Sequence, residues 1–246
     1  MNLVLVICRR ELLAYFSTPI AFVFLLVFPL LAAAFAFYLG GFYERGIADL
    51  QPFFQFHPWI YLFLVPALSM RLWAEERNSG TIELLLTLPV TYWQAVSGKF
   101  LAAWLFLGVA LLLTLPMWFT VNYLGDADNG RILSSYFGSW LLAGSMLAVG
   151  SCMSALSRNQ IIAFILTLIA CFSLMLTSLP MILNLFRSWL SQFWLDAISN
   201  LSLINHYSGF QRGVIDWLEV LFFILMIGFW LFASVQVLIK GTSINY

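Results

Sequence analysis

Six stretches of this chain run for 20 residues or more without a single charged side chain: 12–43, 50–70, 100–125, 132–157, 159–186 and 220–239. A bilayer core about 30 Å thick is crossed by about 20 apolar residues in a helix. In lipid a chain must satisfy its own backbone hydrogen bonds, which favours helices over open strands. The runs therefore predict an all-α integral membrane fold with six transmembrane helices, at about 19–40, 57–75, 92–122, 135–157, 160–183 and 219–239. The whole of 1–246 reads as one membrane domain. The second span starts near His57, after Pro52 and Pro58, and runs past Arg71 toward Glu75. A seventh uncharged run, 197–211, is too short and polar to cross. It is expected in an external interfacial segment covering about 187–218.

Composition closes off the soluble alternatives. Only 9% of the 246 residues are charged and 63% are hydrophobic, whereas a water-exposed surface carries about 25–35% charged residues. The net charge of +0 lacks the basic excess that phosphate backbones attract, so no nucleic acid partner is expected. The bilayer itself is the expected surrounding. Lys and Arg favour the cytoplasmic side. With both termini in the cytoplasm, seven lie inside (Arg9, Arg10, Arg71, Arg77, Lys99, Arg158, Lys240) and four outside (Arg45, Arg131, Arg187, Arg212).

Three features punctuate the cytoplasmic side. Residues 2–16, with Arg9, Arg10 and Glu11 amid leucines and aromatics, read as an interfacial helix. Thr18 and Pro19 supply an N-cap hydroxyl and a first-turn proline for span one. The stretch 71–99 reads RLWAEERNSGTIELLLTLPVTYWQAVSGK. Glu75, Glu76 and Arg77 end span two, and Asn78, Ser79 and Gly80 break it. Thr81 caps a short helix over 82–88, with Glu83 in its first turn and Leu84, Leu85 and Leu86 on its body. Pro89 stops it, and Thr91 with Gln94 forms a capping box for span three. A leucine-faced helix rimmed by charges is either buried against headgroups and its own bundle or docks a cytoplasmic partner.

Chemistry-bearing constellations are scarce. Cys8, Cys152 and Cys171 show no C-x-x-C spacing, which predicts neither disulfides nor zinc. His57 and His206 are expected in polar interfacial roles near the outer surface, with no metal. No G-x-x-x-x-G-K-[ST] loop exists, so this chain is expected to bind no nucleotide and no other cofactor. Gly144, Ala148 and Cys152 recur at four-residue spacing in span four. Such a stripe admits a close neighbour helix, within the subunit or across a dimer, or lines a path. Pro29, Pro66 and Pro116 predict kinks. The scarcity of ionisable groups in the spans argues against ion-coupled transport. It suits an amphipathic cargo or mechanical work on an external partner.

Three segments carry a resemblance. ELLAYFSTPIAFVFL at 11–25 is similar to the N-terminal elbow of type-2 ABC exporter permeases. WAEERNSGTIELLLTLPV at 73–90 resembles their first cytoplasmic coupling loop, and GFQRGVIDW at 209–217 the piece before their last span. Within that family the chain looks like the GldF-like and NosY-like branch. The resemblance implies a six-span permease subunit of a bacterial inner-membrane exporter that pairs, usually with itself. ATP and Mg would be bound by a separate cytoplasmic ATPase subunit, and an external or membrane-anchored accessory protein could join. By position, Glu75, Glu76, Arg77, Gly80, Thr81, Glu83, Leu84, Leu85 and Leu86 fall in the coupling segment, and Arg9, Arg10 and Glu11 in the elbow. Two other functions compete: a scaffold that anchors a complex without moving cargo, and an intramembrane enzyme, for which the sequence offers no polar catalytic pair.

Overall fold

The computed structural model describes residues 3–80, 90–177, 179 and 191–243, and every regular element among them is helical. In chain order these are α1 (Leu3–Phe16), α2 (Pro19–Ala34), α3 (Gln51–Gln55), α4 (His57–Ser69), α5 (Ala74–Ser79), α6 (Tyr92–Leu112), α7 (Leu115–Leu124), α8 (Asn129–Leu156), α9 (Gln160–Leu176), α10 (Gln192–Ser199), α11 (Leu203–Gln211) and α12 (Trp217–Ser243). A π-helical turn, Phe35–Leu39, continues α2. Among the described residues, four helical segments are long and apolar enough to cross a bilayer: Ala21–Leu39, Tyr92–Leu124, Asn129–Leu156 and Trp217–Lys240; Gln160–Leu176 is apolar but shorter.

Helix α8 is the axis of the bundle. Buried residues fill 83% of its most apolar stretch, against 22% in the α2 and α12 segments. Helices α4, α6, α9, α11 and α12 all pack on it. Its sequence explains this, since Gly, Ala and Ser recur along its length. Lipid tails are as apolar as leucine, so helices in a membrane gain by close van der Waals approach rather than by escaping water. At Gly144 the approach is extreme: a Cβ there would lie 2.5 Å from the indole nitrogen of Trp104 on α6 and 3.2 Å from Ile227 on α12. Trp104 in turn stacks on Trp140, with ring centres 4.1 Å apart, and donates its N–H to the Trp140 carbonyl at 2.9 Å. Gly144, Ala148 and Cys152 are all buried, and Gly144 serves packing inside the subunit.

Several local expectations are revised. Pro116 does not kink a continuous helix. The helix stops at Leu112, and Pro116 sits in the first turn of α7, where its missing N–H costs nothing. The Thr18 hydroxyl makes no N-cap bond and donates instead to the Tyr15 carbonyl at 2.9 Å. The stretch read as span two is divided: α4 ends at Ser69 and α5 begins at Ala74, with Asn78 and Ser79 inside α5. Within the run 197–211, α11 packs into the bundle: Leu203, Tyr207 and Phe210 are fully buried and Ser134 of α8 donates to the Phe210 carbonyl at 2.7 Å.

Gly144→Leu is expected to displace Trp104 and lower stability by about 1–3 kcal/mol. Gly228→Ala, where nothing lies within 4 Å, should stay within about 0.5 kcal/mol. Denaturant titration of the detergent-solubilised protein measures both.

Candidate functional site

The polar side chains gather where α4 gives way to α5. Breaking a helix inside a membrane protein frees backbone groups that lipid cannot satisfy. Here one hydroxyl from α8 takes up three of them. Ser154 Oγ accepts the backbone N–H of Trp73 and of Ala74, each at 3.1 Å, and donates to the Met70 carbonyl at 3.0 Å. Two acceptances and one donation use the hydroxyl's capacity. Three residues earlier on the same face of α8, Ser151 Oγ accepts the indole N–H of Trp73 at 3.2 Å. One residue later, the Ala155 carbonyl accepts from the Arg77 guanidinium. Burial, and then the charge of Arg158, pushes Arg77 down from its usual range, which still leaves an arginine cationic.

A second knot ties in the N-terminal helix. Lys99, on α6, is buried with 5% of its side chain exposed. Its ammonium donates to Glu76 Oε1 at 2.7 Å and to the Leu72 carbonyl at 3.1 Å, and lies 3.7 Å from Glu11 Oε1. The Trp73 ring centre is 5.2 Å away, within cation–π reach. Glu11 reaches this point because α1 lies tightly on α6. A Cβ on Gly98 would come 2.7 Å from Ile7, and Tyr15 stacks on Phe106 at 5.3 Å. Burial raises the Tyr15 phenol above its ordinary range, and the Glu11 charge adds to it. Arg10 pairs with Glu11 at 2.6 Å.

Helix α5 then leads out of the knot. Glu75 and Glu76 occupy its first turn and Arg77 its last, which agrees with the helix dipole. Gly80 terminates it with φ +71°, a left-handed conformation that side chains with a Cβ enter at a cost. On the far side, Thr91 and Gln94 form the full reciprocal capping box of α6, at 3.3 and 3.0 Å. Thr81, Glu83, Leu84, Leu85 and Leu86, and the short helix over 82–88, lie outside the described residues.

Of the residues singled out in the sequence, Glu76 and Glu11 meet at Lys99. Glu75, Arg77 and Gly80 line the same short helix, and Arg9 is exposed on α1. Gly144 belongs to the packing axis elsewhere. Lys99, Trp73, Ser151 and Ser154 were not singled out. A lysine eight residues past a capping threonine, inside an otherwise apolar helix, is the signal that a carboxylate must come to meet it.

His57 departs from its expected interfacial role. It is wholly buried, with Nδ1 2.8 Å from Ser139 Oγ, and Tyr61 OH shares that hydroxyl at 2.8 Å. Ser139 and Ser154 are separated along α8 by about 22 Å at 1.5 Å per residue, so the polar clusters occupy different depths. His206 keeps a half-buried position, bonded to Glu219 and to the Asn200 carbonyl at 2.8 Å. Among the described residues no three His, Cys, Asp or Glu side chains gather as metal ligands would.

Spanning helices around a close-packed axis, with a polar knot rooting one loop, define a multi-pass membrane protein. The family model described as ABC-2 family transporter protein matches residues 60–208, from α4 through most of α11. The chain belongs to that family, and is a membrane permease component of an ABC transporter. No curated relative matches the chain.

Lys99→Met is expected to cost about 3–5 kcal/mol by leaving Glu76 opposite an apolar chain. Adding Glu76→Gln should restore part of the loss, a coupling of about 0.5–3 kcal/mol in a double-mutant cycle read by unfolding in detergent. Ser154→Ala is expected to cost about 1–3 kcal/mol.

Proposed function

We propose that this chain is the permease subunit of an ATP-driven exporter of the inner bacterial membrane, in the GldF-like and NosY-like branch. It pairs with a second copy and takes its motion from a separate ATPase subunit that holds ATP and Mg. On this reading the chain crosses the membrane six times with both termini in the cytoplasm, α1 is the elbow, and the segment 81–89 docks the ATPase. Residues Glu75, Glu76, Arg77, Gly80, Thr81, Glu83, Leu84, Leu85 and Leu86 then form the coupling element. Any force applied there enters the bundle at Gly80 and Thr91.

The observation that carries this reading is the double knot at the root of the loop. Ser154 and Lys99 bind the broken end of α4 and the start of α5 to α8, α6 and α1 at once. A displacement of the loop is therefore delivered to the axis of the bundle as a rigid shift rather than dissipated in a slack linker. The apolar, close-packed interior supports movement of whole helices against a partner copy, rather than passage of ions through polar relays.

In membranes reconstituted with the partner ATPase, Gly80→Val and Glu83→Ala are expected to lower cargo-stimulated ATP hydrolysis and transport while leaving basal hydrolysis in place. Forcing a β-branched residue into the left-handed conformation of Gly80 costs about 1–2 kcal/mol locally. A photo-cross-linker at 82–88 should capture the ATPase. Transport unchanged in both well-folded variants, or capture of no ATPase, would refute the coupling role.

A further inference from the structure

Beside the knot, walled by α1, α2 and the α4–α5 junction, lies a cavity of about 270 Å³. Its apolar floor includes Ala21 and Phe24 of α2 and Leu68 of α4, and the charged residues Glu11, Arg71, Glu75, Glu76 and Lys99 also line it. Small-molecule sites begin at roughly 300 Å³, so the volume suits a compact headgroup rather than a large ligand.

The charges that reach the cavity divide unevenly. Lys99 is matched by Glu76 and Glu11, and Glu11 also by Arg10. Arg71 and Glu75 are left over. No side-chain hydrogen bond or ion pair engages either among the described residues, and the Arg71 Nε–H is buried without an acceptor. Residues four apart on a continuous helix ordinarily pair. Here α4 stops at Ser69 and α5 starts at Ala74, so the break parts the guanidinium from the carboxylate. The cavity thus presents one unmatched cation, one unmatched anion at its rim and an apolar floor.

A guanidinium's planar fork is matched by phosphate oxygens, and a free carboxylate by a primary ammonium. A purely anionic headgroup would meet Glu75 unneutralised, with Glu11 and Glu76 close behind. The floor residues Ala21 and Phe24 lie at the start of a segment that crosses the bilayer, the level at which headgroups sit. We propose that this cavity binds a phospholipid bearing both a phosphate and a primary amine, of the phosphatidylethanolamine type. The phosphate engages Arg71 and the ammonium Glu75. The acyl chains remain in the leaflet beside α2. The bound lipid pins α1 and α2 to the α4–α5 junction.

Native mass spectrometry of the full detergent-purified chain tests this without any ATPase, so its outcome is separate from that of the coupling reading. The chain is titrated with phosphatidylethanolamine, phosphatidylcholine, phosphatidylglycerol and free O-phosphoethanolamine. The amine lipid should be retained about tenfold more tightly than the other two lipids, the worth of one charge-assisted hydrogen bond. The free headgroup should bind negligibly. Arg71→Gln should weaken retention about tenfold, and Glu75→Gln, at an exposed position that tolerates change, should abolish the preference over phosphatidylglycerol. Equal retention of all three lipids by the native chain would overturn the proposal. So would a Glu75→Gln variant with unchanged preference, even if Arg71→Gln failed to fold. Binding of O-phosphoethanolamine as tight as that of the lipid would assign the cavity to a soluble phosphate ester instead.

Discussion

A helix broken within a bilayer protein must find partners for the peptide groups it releases, and in this chain one serine supplies them. Ser154 accepts two N–H groups at the start of α5 and donates its own O–H to the carbonyl of Met70, just past the end of α4. Everything at this end of the molecule follows from that arrangement. It holds the chain at the turn over residues 70–73, where Leu72 and Trp73 are buried, and α5 ends at an exposed Gly80. The buried ammonium of Lys99 makes sense in the same terms. It fills a further acceptor, the Leu72 carbonyl, and brings two carboxylates with it.

The serine can do this because α8 is made of small side chains. A helix of bulky residues would hold its neighbours at a distance where a short hydroxyl reaches no other backbone. Gly144 brings Trp104 into van der Waals contact, and Ser139, Ser151 and Ser154 act at different depths on the neighbours so admitted. Close packing and polar satisfaction are thus one design. The small residues supply the approach, and the approach makes side chains of two heavy atoms long enough to bond.

Much of this was legible in the residues themselves. Charge-free runs announced membrane helices. Thr91 and Gln94 formed their capping box because the pattern is local, and Gly80 took its left-handed turn for the same reason. The illegible part was whatever depended on the far side of the bundle. Thr18 sits at an N-cap position, yet its hydroxyl turns backward to Tyr15, a choice between accepting from an N–H ahead and donating to a carbonyl behind that sequence does not settle. His57 looked interfacial because it stands at the expected outer start of span two. Its burial is decided by Ser139, 82 residues away. Lys99 counted only as a charge marking a side of the membrane, when its importance lies in three acceptors from two other parts of the chain.

The interruption at Leu113 and Thr114 has a corollary. Helix α6 buries residues along its length, from Ala95 to Leu111, whereas α7 buries only Val121. Thr114 is stitched to Tyr136 of α8 at 3.0 Å just where the two meet. One candidate membrane-crossing segment is therefore two helices of unequal burial, the first packed along its length and the second packed chiefly at Val121. Substitutions beyond that stitch therefore disturb far less packed surface than substitutions before it.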